Sequence, residues 1–86
     1  NDDLGLGIFW KFPQEEIPIV NQWQHFHRGT YVTGVEPGNA SMLGRAWNRK
    51  HGTLQYIEPE EVREFHMEIG VLDGAEEISA FDASLR

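Results

Sequence analysis

The sequence contains no cysteine, so neither a disulfide framework nor a Cys-rich zinc cluster is available to hold it together. Basic residues are scarce, 7 Lys and Arg against 14 Asp and Glu, giving a net charge of -7 with no basic cluster along any segment. That balance argues against a phosphate backbone or an anionic membrane as partner, so neither nucleic acid nor membrane is expected. No apolar run approaches the roughly 20 residues that span a bilayer, and the visible start lacks the charged-then-apolar pattern of a signal peptide. No repeat or low-complexity segment occurs. A soluble chain in a reducing cytoplasm is the expectation.

A chain of 86 residues makes one small domain at most. Domains near this size bury only about 60% of the surface that their unfolded chain exposes, and the usual staples are absent. Something else must complete the core. The chain opens on Asn1-Asp2-Asp3 without an initiator methionine, which leads us to expect a piece of a longer polypeptide.

What is present is mostly alternation with period two, the mark of strands with one covered face. Leu6, Ile8, Trp10 and Phe12 share a face, and Pro13 ends that ladder. From Ile19 to His27 one side carries Ile19, Asn21, Trp23, His25 and His27, and the other Val20, Gln22, Gln24 and Phe26. Both sides are mixed, as in a strand lining a wet cleft. Arg28-Gly29-Thr30 reads as a tight hairpin connection, and Tyr31 to Glu36 as the returning strand. Glu36-Pro37-Gly38-Asn39 suggests a type II turn, which places Glu36 at a strand terminus. Ala40 to Gly52 reads as a polar loop rather than a helix. Further on, Leu54–Ile57 reads as a short strand, Glu58-Pro59-Glu60-Glu61 as a turn, and Val62–Leu72 as a long strand. Asp73-Gly74 closes that strand, and residues 75–86 form a short amphipathic helix or a frayed tail. Antiparallel β structure throughout points to an all-β sandwich or barrel.

The segment from Thr30 to Asn39 carries the most chemistry. Alternation puts Gly34 on the face of Glu36, so an absent side chain leaves room beside the carboxylate for a ligand ring. A carboxylate fixed on a strand and reachable from one side suits a general base, though a solvated glutamate entering a turn has the same spacing.

Trp23, then Tyr31 to Asn39, Gly44-Arg45, Leu54, Pro59-Glu60-Glu61, Arg63, Phe65 and Glu68 to Gly74 together resemble the aldose 1-epimerase, or galactose-mutarotase-like, family, nearest a bacterial subfamily of that fold. The resemblance covers nearly the whole chain. It implies that residues 1–86 are a single C-terminal segment of a larger β-supersandwich sugar-binding domain, with Glu36 at the position of the catalytic base. Glu36 would take the proton of the anomeric hydroxyl while a histidine, well upstream, protonates the ring oxygen. It also implies a sugar or sugar derivative as ligand, no cofactor, and a partner that is either the missing upstream polypeptide or a second copy. One departure is that the Pro-Gly-Glu often preceding the last strand is here Pro59-Glu60-Glu61. A carbohydrate-binding module without catalysis is the alternative.

Asn39 and Arg45 are candidates to hydrogen-bond sugar hydroxyls, Arg45 through its planar fork, with salt bridging to the many acids as the competing role. Trp23 and His25 join them as candidate ligand contacts, and Trp47 and Tyr31 offer stacking area, with core packing as the alternative for each aromatic. His25 and His27 have chelating spacing if Glu36 or His66 comes near, but the resemblance requires no metal and none is expected. The acids Glu58, Glu60, Glu61, Glu64 and Glu68 read as a solvated face.

Overall fold

The chain forms four strands and two helices: β1 (Leu6–Lys11), β2 (Ile19–His27), β3 (Thr30–Gly38), α1 (Arg45–Lys50), β4 (Glu68–Asp73) and α2 (Ala75–Ser84). The structure, a computed structural model, describes residues 1–86. Every strand pairing is antiparallel, in two separate two-stranded sheets, so the chain is mainly antiparallel β. It divides into two compact units, one of Asn1–Phe12 with Met67–Arg86 and the other of Pro13–His66. No helix is long and apolar enough to cross a membrane.

In the first unit β1 pairs with β4, from Leu6 opposite Asp73 to Lys11 opposite Glu68. Gly7 and Phe9 form the face on which α2 lies. Phe9 packs against Phe81 with ring centroids 4.8 Å apart, and the space above Gly7 is bordered by Leu72 and Ile78. The Phe9 ring also occupies the place a side chain would take on Gly70. Of the two readings for residues 75–86, the helix is the one that forms. Glu76 and Glu77 sit in its first turn, where a carboxylate complements the helix dipole, and Glu77 Oε2 accepts the Asp73 N–H at 2.8 Å.

The expected face of Leu6, Ile8 and Trp10 exists, but it is not the side that the helix covers. It joins Ile69 and Val71 across the pairing to make an apolar surface, with Ile8 62% and Val71 65% exposed. Phe12 lies just beyond the strand, which stops at Lys11 ahead of Pro13.

In the second unit β2 and β3 form a hairpin running from Ile19 opposite Gly38 to His27 opposite Thr30. Arg28 and Gly29 make the turn, and Gly29 takes the positive φ of 82° for which glycine suits this position. The expected type II turn at Glu36 does not form. β3 continues through Pro37, opposite Val20, to Gly38, whose φ is not positive. Proline is tolerated because each strand of a two-stranded sheet has an open edge where no N–H is needed.

The expected loop over Ala40–Gly52 is also corrected, since α1 forms within it. Asn48, only 3% exposed, organises this stretch. Its Nδ2 donates to Gly44 O at 2.8 Å, and its Oδ1 accepts from Ser41 Oγ at 3.0 Å and Thr53 Oγ1 at 2.8 Å. A buried amide so fully bonded holds a polar segment in a defined shape, and Trp47 stacks at 3.9 Å on His51, the residue that follows the helix.

The expected strand Leu54–Ile57 is absent, and of Val62–Leu72 only the end from Glu68 joins a ladder. These alternating residues have no strand to pair with. The turn between them does form, with Glu61 N–H donating to Glu58 O at 3.0 Å. Glu60, at φ 65°, holds there the left-handed conformation that a glycine adopts without strain.

Candidate functional site

The hairpin register decides which side chains meet. Pairing of Asn21 with Glu36, Trp23 with Gly34 and His25 with Val32 puts Asn21, Trp23, His25, His27 and Glu36 on one face. Gly34 is the gap in that face. A Cβ built on it would lie 3.6 Å from Glu36 Oε1 and 3.8 Å from Trp23 Cε3, so the space of one small side chain separates carboxylate from indole. Trp23 is 48% exposed, leaving much of its ring free.

Three rings run along β2 on this face. Trp23 stacks with His25 at 5.9 Å and 12°, and His25 with His27 at 6.0 Å and 17°. At the other end Asn21 Nδ2 donates to Ala40 O at 3.3 Å, fixing the chain just after Asn39. The face therefore offers a flat aromatic strip, a carboxylate beside it and a hollow between them. Glu36 lies two residues inside β3 rather than at its terminus, and the paired Asn21 makes its backbone more constrained than a rim position would be.

The remaining candidates separate. Arg45 opens α1, is exposed, and makes no ion pair with Glu36 or any other acid, so the competing role of salt bridging is not seen. Tyr31 stacks on Phe26 at 6.4 Å and belongs to the opposite face of the hairpin. Trp47 is engaged with His51. His66, one of the two residues, with Glu36, named as a third ligand for His25 and His27, is bonded to Glu16 instead, and no group of three or more His, Asp or Glu side chains is arranged to hold a metal ion.

That Glu16 contact joins positions far apart in the chain. The His66 backbone N–H donates to Glu16 Oε2 at 2.7 Å, and His66 Nδ1 lies 2.9 Å from Oε1. The backbone bond, then the ring bond, holds the Glu16 carboxyl below its ordinary value of 4.5. Glu61 is likewise lowered, by the hydrogen bond from Arg63 at 2.7 Å.

Asn39 belongs to a recess in the same unit together with Gln55, Arg63 and Phe65. These last three escape a sequence reading because residues 54–66, which alternation reads largely as strands, lie in irregular backbone that no period places. Asn21, in contrast, is legible as the partner of Glu36 once the turn is set at Arg28-Gly29.

The family model described as "Domain of unknown function (DUF4432)" matches residues 1–71. The chain belongs to this family. No curated protein and no solved structure matches it. The matched part of the DUF4432 chain contains the whole hairpin with Trp23, Gly34 and Glu36, the Asn39 recess, and most of β4.

Proposed function

We propose that the chain supplies one wall of a mutarotase-like carbohydrate epimerase, in which Glu36 is the general base for anomer interconversion of an aldose or an aldose derivative. The observation that carries this reading is the hollow at Gly34, between the Glu36 carboxylate and the exposed Trp23 ring. A pyranose has a face of C–H bonds that stacks on an indole and a rim of hydroxyls that a neighbouring carboxylate can reach.

In this reading Glu36 accepts the anomeric O–H proton while an acid on the far side of the ring protonates the ring oxygen. The C1–O5 bond breaks, the aldehyde rotates, and closure runs the two transfers in reverse. His25 shares the face of Glu36, so it contacts the sugar from the same side and leaves the acid's role to a residue outside this chain. The uncovered face of β1 and β4 is then covered by further strands of a β-supersandwich, from the same polypeptide or a second copy, in the cytoplasm. Arg45 is a hydroxyl contact in this scheme.

The test is anomer exchange followed by polarimetry or exchange NMR, comparing the protein with Glu36→Gln. Loss of one proton-transfer group lowers the rate by about 10²–10⁴-fold; equal rates over several sugars would remove Glu36 from the chemistry. A second reading, a binding module without catalysis, is favoured by the open Trp23–His25–His27 strip. Saturable sugar binding with no exchange above the uncatalysed rate would select it.

A further inference from the structure

Two adjoining cavities, of about 260 and about 390 Å³, share Asn39, Gln55, Arg63 and Phe65 as common walls. The larger falls within the range typical of small-molecule sites. The geometry points to a binding site for a neutral polyhydroxylated ligand, a saccharide unit, apart from the Trp23 and Glu36 face.

Arg63 is the anchor. Its Nε donates to Glu61 at 2.7 Å, its Nη1 to Gln55 Oε1 at 3.5 Å, and its Nη2 to the Tyr56 carbonyl. A guanidinium carries five N–H groups, so two remain for a ligand. Because the side chain is already held, little rotamer freedom is lost when a ligand arrives. Gln55 turns its oxygen to Arg63, which leaves its NH₂ as the free end, and the Asn39 amide has no partner within the protein.

The charge selects the ligand. Glu15, Glu16 and Glu64 line the smaller cavity, against the single cation of Arg63. A phosphate or sulfonate placed there meets net negative surroundings, whereas a hydroxyl, both donor and acceptor, finds amide and guanidinium N–H groups on one side and carboxylates on the other. Phe65 and Tyr56, both largely exposed, add the flat apolar surface that a sugar's C–H face covers. Amides, one held arginine, acceptor carboxylates and aromatic walls together define a neutral polyol site.

The experiment is a titration of the isotope-labelled protein with methyl α-glucoside and methyl β-galactoside, with glucuronate and glucose 6-phosphate as anionic counterparts. The signals followed are Arg63 Nε–H and the side-chain amides of Asn39 and Gln55. The expected result is saturable movement of these signals with a neutral glycoside, and binding of both anions at least about five-fold weaker. Asn39→Ala and Gln55→Leu are each expected to weaken binding by about ten-fold, the loss of roughly one good hydrogen bond. Two variants on different segments keep the test valid if one disturbs the loop. Glu36→Gln should leave these signals and affinities unchanged, so a failed epimerase reading and a failed recess are told apart. Tighter binding of the anions, or movement confined to Trp23 and its neighbours, would overturn the proposal, as would no response to either neutral glycoside.

Discussion

Gly34 is where a single methyl group separates folding from function. Its would-be Cβ contacts lie at 3.6–3.9 Å, ordinary van der Waals distances, and its φ is not positive, so alanine fits without strain. A strand alanine in place of glycine gains about 0.5–1 kcal/mol in general. Gly34→Ala is therefore expected to hold or raise the thermal midpoint while weakening sugar binding or turnover, because the methyl fills the hollow beside Glu36. Unchanged binding in a folded variant would mean that the hollow is not where a ligand sits. At Glu16 the sign of the pH effect follows from the direction of its shift. Its carboxyl lies below 4.5 in the folded state, so folding favours the carboxylate. The contribution is complete above about 4.5 and is lost as pH falls through the lower folded value. The His66 amide signal, bonded to Glu16 Oε2, should shift only in that acidic window, and Glu16→Gln should abolish the transition.

Among the elements, the β1, β4 and α2 unit has the sharpest packing constraint. Phe9 fills the space over Gly70 and reaches Phe81. Gly70→Ala forces the ring aside and separates it from the helix, with an expected cost of about 1–3 kcal/mol as in other overpacked sites. Gly7→Ala, on the same face, meets Leu72 at 3.4 Å and Ile78 at 3.5 Å and should be nearly neutral. Urea unfolding of both variants checks the contrast; equal costs would mean that α2 does not seat on Phe9. Alternation located β1, β2, most of β3 and, within the longer strand expected over Val62–Leu72, β4 as far as Leu72, because period two survives in a sequence whatever the partner strand is. It did not tell which face of β1 the helix covers, since Leu6, Ile8 and Trp10 make the more apolar face while the helix seats on Phe9 beside Gly7. α1 escaped notice because its order comes from the side-chain bonds of Asn48, which leave no hydrophobic period. The candidate site followed the same rule. Trp23, His25 and Glu36 share a face through strand spacing alone, whereas Arg45 and Tyr31 fell elsewhere and the recess at Arg63 depends on irregular backbone.

For the whole molecule, the question is where a hydrophobic core of sufficient size comes from. Ile17, at 3% exposure, is the one buried apolar residue. The chain leaves 7464 Å² accessible, whereas a folded monomer of its 9.9 kDa mass leaves about 5,200 Å². The difference, about 2,300 Å² per chain, is of the size that permanent subunit interfaces cover. All four strands are sheet edges, and two-stranded sheets are marginal in water on their own. An uncovered apolar surface joins Ile8, Ile69 and Val71 on β1 and β4. The 86-residue chain by itself is therefore expected to self-associate through this surface. Light scattering behind size exclusion should give a mass above 9.9 kDa at micromolar concentration. Ile8→Lys with Val71→Lys, both on strand faces where a lysine can extend into water, should move it towards the monomer and reduce its thermal stability together. A monodisperse 9.9 kDa species with a sharp unfolding transition would show instead that the two small sheets suffice, and that the exposed surface needs no covering.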